Sequence, residues 1–171
     1  KKTESFIPKT VQLIKKEAEK IDGENNRVIL KDNSVIDYDY CIIATGTHPR
    51  PEQTPGLLDS LWRKEIFDFY TPDGAMALAN YLKTWQGGRL VMAIAETPIK
   101  CPIAPLEFVF LADDYFTKNG IRNKVDITIV TPQTGVFTKP IASSMLSKLL
   151  RERNIHVESE FYIERVDNEK R

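Results

Sequence analysis

Short apolar runs separated by turn residues characterise the first part of the chain. β-prone runs at residues 27–30 and 34–36 are flanked by turn sequences rich in Asp, Gly and Asn. Across residues 10–37 this pattern predicts strand–turn–strand–turn–strand, which is a small antiparallel β segment. The apolar positions at residues 11–21 do not by themselves decide between a helix and a strand.

A continuous apolar run follows at residues 40–44, and Thr45 and Gly46 end it. Such a run predicts a strand buried on both faces, as in a parallel sheet. Residues 47–59 then carry three prolines, at 49, 51 and 55. Proline fixes φ and lacks a backbone donor, so this segment is predicted to be a loop or a connection between domains.

The rest of the chain alternates between helical and strand periodicity. Thr71 and Pro72 are typical of a helix start, and the helical apolar spacing that follows is predicted to stop at the glycines 87 and 88. Strands are predicted at residues 89–95, 125–130 and 155–158, with helices at 105–119 and 140–153 between them. This order indicates right-handed crossovers and an α/β fold, a Rossmann-like parallel sheet flanked by helices.

Apolar residues on these strands and helices predict the hydrophobic core of the sheet. The predicted core comprises Leu90, Val91, Ile94, Phe108, Leu111, Ile127, Ile129, Leu146 and Leu149. All nine side chains are therefore expected to be buried.

Composition excludes several classes of function. The 171 residues contain 24 basic and 24 acidic side chains, and this zero net charge argues against a broad nucleic-acid interface. No apolar run approaches the roughly 20 residues that cross a bilayer. Two cysteines cannot build a disulfide-rich scaffold, so a cytoplasmic setting is expected.

The turn after the first strand of the predicted parallel sheet lacks the features of a dinucleotide site. Residues 96–105 contain three prolines and no glycine, which opposes a close backbone cradle around a pyrophosphate. The next strand ends at Val130, Thr131 and Pro132, without a carboxylate for ribose hydroxyls. Both mismatches argue against ordinary NAD binding.

Cys101 is the candidate for chemistry in this turn. It precedes the predicted helix at residues 105–119, whose N-terminal N–H groups favour a thiolate, and Lys100 is its neighbour. A thiolate attacks sulfur, disulfides or a flavin. A buried structural thiol is the alternative, but a strand-to-helix loop favours a functional role. Glu96 is a candidate acid or base, or else a solvated or helix-capping carboxylate.

The other chemically versatile residues point to no site. Cys41 lies inside the run at residues 40–44 and is predicted to be a core residue that does not pair with Cys101. His48 and His156 are isolated, and no cluster has metal-ligand spacing. No metal site is therefore predicted.

Several motifs resemble one family of flavoproteins. Residues 28–30 and 34–37, with YDYCIIATGT at 38–47, resemble the middle of the FAD-dependent pyridine nucleotide–disulfide oxidoreductases. Within that superfamily, FYTPD at 69–73, GGR at 87–89 and KCPIAPLE at 100–107 are similar to sulfide:quinone oxidoreductases. The resemblance implies that residues 1–50 are a remnant of the FAD-binding domain. Residues 51–171 then form a degenerate second nucleotide-binding-type domain that carries the redox cysteine.

The resemblance also implies an activity and its site. Cys101 matches a family redox cysteine, whose thiolate takes up sulfide sulfur and passes two electrons to FAD and then to quinone. Ala44, Thr45 and Gly46 match a turn whose backbone lies near FAD. The implied partners are quinone and sulfide or another small sulfur compound, without nucleic acid. Residues 47–100 lack a cysteine that many members carry, which leaves open a variant with two redox cysteines or another substrate.

The chain has no starting Met and lacks the family's N-terminal FAD motif and C-terminal domain. We therefore expect it to be the middle of a longer protein, inactive alone and without bound FAD. Membrane contact would come only from parts outside this chain, so the protein is expected to be cytoplasmic or peripheral at the inner face of the cell membrane. Two alternatives stay open, namely an NAD(P)H-dependent flavoprotein disulfide or quinone reductase, and a non-catalytic Rossmann-like binding module.

Overall fold

A computed structural model describes residues 3–169 of the chain. The residues divide into two compact units, of which the first ends at Gly46 and the second begins at Thr47. No helix in the described part is long and apolar enough to cross a membrane.

The first unit contains a three-stranded antiparallel sheet. Its strands are β1 (Ala18–Asp22), β2 (Arg27–Leu30) and β3 (Val35–Asp37), and they lie side by side in that order. Asn26 and Asn33 have positive φ values of 51° and 64° in the two turns, a conformation that asparagine tolerates better than most residues. The small antiparallel segment expected from the sequence is thus confirmed. Of residues 11–21, which the pattern left undecided between helix and strand, only the last four belong to β1.

The strand expected at residues 40–44 does not form. Both sheets among residues 3–169 consist only of other segments, so this run has no neighbouring strand with which to exchange hydrogen bonds. Ile42 is 91% exposed, and Cys41 is exposed as well. The prediction that Cys41 is a core residue is therefore wrong, because a run of apolar residues becomes a buried strand only where other strands flank it.

The second unit contains a parallel sheet of three strands with helices at its crossovers. In chain order its elements are α1 (Pro72–Leu82), β4 (Gly88–Ala93), α2 (Ala104–Lys118), β5 (Val125–Val130), α3 (Pro140–Glu152) and β6 (Ile155–Glu158). The strands lie in the order β4-β5-β6, joined through α2 and α3. The predicted α/β fold with a Rossmann-like parallel sheet after an antiparallel segment is confirmed.

One face of the parallel sheet carries the hydrophobic core. Residues that face each other across the strands, such as Leu90, Ile127 and Ile155, pack with side chains from α2 and α3. Phe116 of α2 and Leu150 of α3 are completely buried there. In the described part of the chain, both crossover helices therefore cover the same face.

Three of the nine predicted core residues are exposed, and one of them lies on the opposite face of the sheet. Val91 alternates with the buried positions of β4 and is 57% exposed on the face that α2 and α3 do not cover. Leu111 and Leu149 are exposed on their helices, away from the sheet. The other predicted core residues, Leu90, Ile94, Phe108, Ile127, Ile129 and Leu146, are buried or packed against the core.

A cluster of polar contacts fixes the start of α1. The Thr71 hydroxyl accepts a hydrogen bond from the Gly74 N–H at 3.0 Å, which is the N-cap that the sequence predicts. The backbone N–H of Thr71 donates to the Asp68 carboxylate at 2.7 Å, and its hydroxyl donates to the same carboxylate at 3.0 Å. The helix ends at Leu82, before the predicted stop, and the glycines at 87 and 88 lead into β4 instead.

Substitution of Gly74 by alanine is expected to lower the free energy of unfolding by about 1–3 kcal/mol. A Cβ atom at Gly74 would lie 2.2 Å from the Asp68 carboxylate and 2.5 Å from the Asp68 carbonyl oxygen. Thermal unfolding measures the change. Gly23→Ala is the control, since no atom lies within 4 Å of its added methyl group. Equal stability of the two variants would show that Asp68 moves aside without cost.

The segment after β6 returns to the proline-rich loop. The N–H of Val166 donates to the Pro55 carbonyl at 2.9 Å, and the Asn168 side chain donates to the Gly56 carbonyl at 2.7 Å. The Asn168 side-chain oxygen also accepts from the N–H of Leu61 at 3.1 Å. Residues 47–59 are therefore a loop within the second unit, with a short 3-10 helix at Pro51–Gln53.

A buried carboxylate joins the elements at the other end of the fold. Asp113 of α2 is 6% exposed and accepts hydrogen bonds from Arg122 at 2.5 Å and Arg153 at 2.8 Å. Arg122 also donates to the backbone carbonyls of Val125, Arg153 and Asn154. These contacts tie α2 to the start of β5 and to the turn between α3 and β6.

Candidate functional site

The loop between β4 and α2 carries the candidate nucleophile. Ile94 extends β4 by donating its N–H to the Val130 carbonyl at 2.9 Å, and the chain then leaves the carboxyl end of the sheet. Cys101 is half-buried near the end of this loop, three residues before α2 begins. In open α/β sheets this edge is where ligands bind. The structure therefore places Cys101 where the sequence predicts a functional thiol.

The backbone of Cys101 forms part of the turn into α2. Its carbonyl accepts a hydrogen bond from the Ala104 N–H at 3.2 Å, and the Ile103 carbonyl accepts from the Glu107 N–H at 3.0 Å. A proline at the first helical positions suits this start, because the missing N–H has no partner there in any helix. The KCPIAPLE sequence thus explains why α2 begins three residues after the cysteine.

Tyr70 is a neighbour of Cys101 that the sequence analysis did not single out. Its hydroxyl donates to the Cys101 carbonyl at 3.5 Å across 31 residues of sequence. Burial of the phenol raises the pKa of Tyr70, and the negative charge of a Cys101 thiolate raises that pKa further. The tyrosine belongs to the FYTPD motif, and that motif was the only sequence signal that could have identified it.

Lys100 makes a different contact from the one that its position beside Cys101 suggests. Its ammonium group donates to the Thr47 carbonyl at 2.9 Å and is exposed to solvent. This bond ties the cysteine loop to the segment at the start of the second unit.

Glu96 lies in the same loop, five residues before Cys101, and is exposed. Within residues 3–169 no donor forms a hydrogen bond or ion pair with its carboxylate. An exposed carboxylate is free to exchange protons with solvent. Its role as an acid or base stays a prediction.

Ala44, Thr45 and Gly46 lie in the first unit, whereas Cys101 and Glu96 lie in the second. All three residues are exposed and outside regular secondary structure. Gly46 has a φ of 74°, a conformation that favours glycine, and no atom lies within 4 Å of the position of a Cβ. The contact of these three residues with a bound group stays a prediction.

Metal binding finds no support among the described side chains. No group of three or more His, Cys, Asp or Glu residues in positions 3–169 is arranged to hold a metal ion.

Comparisons with known proteins agree with the motifs. No family model matches the chain. The mitochondrial sulfide:quinone oxidoreductase of Dictyostelium discoideum is 29% identical over 157 residues, which cover 91% of this chain and 35% of that protein. Its counterpart from Mus musculus is 28% identical over 155 residues, covering 91% and 34%. The chain thus spans about a third of the length of the curated relatives it matches.

Solved structures of flavoprotein reductases are also similar to the chain. The sulfide:quinone oxidoreductase of Aquifex aeolicus is 25% identical, with a TM-score of 0.63 over 90% of this chain and 36% of that one. A ferredoxin reductase from Rhodopseudomonas palustris is 19% identical, covers 96% of this chain and 38% of its own, and has a TM-score of 0.58, so it shows the fold alone. The expected resemblance to sulfide:quinone oxidoreductases is confirmed.

Proposed function

We propose that this chain, which resembles sulfide:quinone oxidoreductases over nine-tenths of its length, is the central part of a longer FAD-dependent enzyme of that activity. The observation that carries the proposal is the position of Cys101, a half-buried thiol at the turn into α2 and the carboxyl end of a parallel sheet. Residues 1–50 then belong to the FAD-binding domain, and residues 51–171 form the domain that carries the redox cysteine.

The proposed reaction joins sulfide to the cysteine. The sulfur of HS⁻ bonds to Sγ of the Cys101 thiolate as a persulfide, and this oxidation releases one proton and one electron pair. When bound, FAD supplies the acceptor for that pair, which finally reduces a quinone with the uptake of two protons. Cys101 holds the sulfur during this step, and Glu96 is the proposed acceptor of the released proton.

The first unit would supply part of the FAD contact. Gly46 has open space where a Cβ would lie, and Ala44 and Thr45 are exposed, as a close approach of a flavin nucleotide requires. Sulfide and quinone are the proposed small-molecule partners. The complete enzyme is proposed to act in the cytoplasm or peripherally at the inner face of the cell membrane, through segments other than those described.

The complete protein provides the test of this function. We expect sulfide to bleach the flavin absorbance and to reduce a soluble ubiquinone analogue, whereas NADH does neither, because the β4–α2 loop lacks a phosphate-binding glycine turn. Absorbance spectra under nitrogen measure both reactions. The 171-residue chain alone serves as the inactive control.

Two other results would reject the proposal. Rapid bleaching by NADH without a response to sulfide would assign the protein to the NAD(P)H-dependent reductases. A complete protein without flavin and without reaction to either donor would indicate a non-catalytic binding module.

A further inference from the structure

We propose that Tyr70 is a positioning residue for Cys101, a role that rests on the proposed function of that cysteine. The phenol hydroxyl donates to the Cys101 carbonyl at 3.5 Å. The same carbonyl accepts from the Ala104 N–H at 3.2 Å. Two donors from different parts of the chain thus hold one peptide group, and that group includes the Cα atom from which the Cys101 side chain projects.

A column of aromatic rings holds Tyr70 in place. The Tyr70 ring stacks on Phe69 with centroids 5.0 Å apart, and Phe69 stacks on Phe108 at 4.9 Å with an angle of 4° between the planes. Phe108 lies in α2, the helix that begins three residues after Cys101. The hydroxyl donor and the helix start are therefore parts of one packed arrangement.

The cap of α1 fixes Tyr70 from the other side. Thr71 is bound through its N–H and its hydroxyl to the Asp68 carboxylate, and these bonds close a turn that contains the tyrosine. The raised pKa of Tyr70 keeps its phenol protonated, and hence a donor, throughout the neutral range. A tyrosine held in this way limits the motion of the cysteine loop.

The test removes only the hydroxyl of Tyr70, through Tyr70→Phe in the complete enzyme. Because a displacement of about 1 Å in a reacting group costs up to about 10²-fold in rate, we expect Tyr70→Phe to lower kcat for sulfide oxidation about 5- to 20-fold. KM for sulfide should stay within about twofold, since the variant changes orientation rather than ground-state binding. The phenylalanine ring preserves the aromatic column, so the fold is retained.

Tyr81→Phe is the matched control. Tyr81 is a half-buried tyrosine of α1 that packs on Phe67 at 5.2 Å, and among residues 3–169 its hydroxyl has no hydrogen-bond partner. It should keep wild-type kcat within about twofold. Wild-type kcat in Tyr70→Phe, or an equal loss in both variants, would overturn the positioning role.

Alkylation of Cys101 gives a second readout that does not require turnover. In a Cys41→Ser background, we expect Tyr70→Phe to raise the rate of iodoacetamide labelling at Cys101 about threefold or more, as followed by peptide mass spectrometry. An unchanged rate would contradict the tether. If Cys101→Ser stops sulfide oxidation while Tyr70→Phe has no effect on either measurement, this inference fails and the proposed function stands. If Cys101→Ser remains active, the proposed function itself fails.

Discussion

Serine in place of Cys101 is expected to abolish sulfide-dependent quinone reduction by the complete enzyme, lowering kcat/KM at least about 10³-fold. The serine hydroxyl ionises far above neutral pH and cannot form the S–S bond in which the proposed reaction stores sulfide sulfur. The substitution changes one atom of a half-buried side chain, and the carbonyl that binds Tyr70 and Ala104 stays in place. Loss of activity in a folded variant would therefore report on the sulfur atom.

Cys41→Ser is the control for this experiment. Cys41 is exposed and belongs to the first unit, so its substitution should leave kcat/KM within about twofold of wild type. Stopped-flow spectra of the flavin with sulfide, followed by quinone, measure both variants. An active Cys101→Ser enzyme would remove Cys101 from the reaction, and an inactive Cys41→Ser enzyme would direct attention to the first unit.

Substitution of Asp113 by asparagine is expected to lower the free energy of unfolding by about 2–4 kcal/mol. In the wild-type protein the Asp113 carboxylate oxygens lie 2.5 Å from Arg122 and 2.8 Å from Arg153. The asparagine amide would face the same two guanidinium groups without a negative charge. Arg153 is half-exposed, so water can hydrate its charge. The expected loss of unfolding free energy is therefore smaller than for a fully buried ion pair. For a domain of this size the loss corresponds to a fall in Tm of about 5–15 °C.

The next residue provides the control. Asp114 lies on the same helix, its side chain is 53% exposed, and it pairs with Lys118 at 2.7 Å. Asp114→Asn should change the unfolding free energy by less than about 0.5 kcal/mol. Differential scanning calorimetry compares the two variants. Similar Tm values would mean that the buried cluster around Asp113 contributes no more than a surface ion pair.

The sequence predicted, in both units, strands whose neighbouring strands lie within the described part of the chain. β5 and β6 have the predicted limits, because apolar residues at alternate positions of each strand pack against helices close to it in sequence. The run at residues 40–44 is more continuously apolar than either strand, but it has no neighbouring strand among the described residues. Periodicity shows that a segment is suited to burial, and it does not show what lies beside it.

Of the candidate site, the sequence predicted one residue but not its tertiary contacts. Cys101 could be singled out because the order strand, proline-rich turn, helix is visible in the sequence. Tyr70 lies in the FYTPD motif, but the motif does not show its contact with Cys101, because that contact crosses 31 residues and depends on tertiary packing. The ion pairs of Asp113 were not predicted for the same reason, since Arg153 lies 40 residues away in sequence. Local patterns identify single residues, whereas partners brought together by tertiary packing require the structure.

The exposed run at residues 40–44 has a consequence for the behaviour of the chain in solution. It combines β-branched and aromatic residues without a charge or a proline, and Ile42 is 91% exposed. Such segments pair edge to edge between molecules and initiate aggregation. With 24 basic and 24 acidic residues, the chain lacks the net repulsion that would keep molecules apart at neutral pH. Solubility, rather than the stability of the α/β fold, will therefore limit the concentration that the isolated chain can reach.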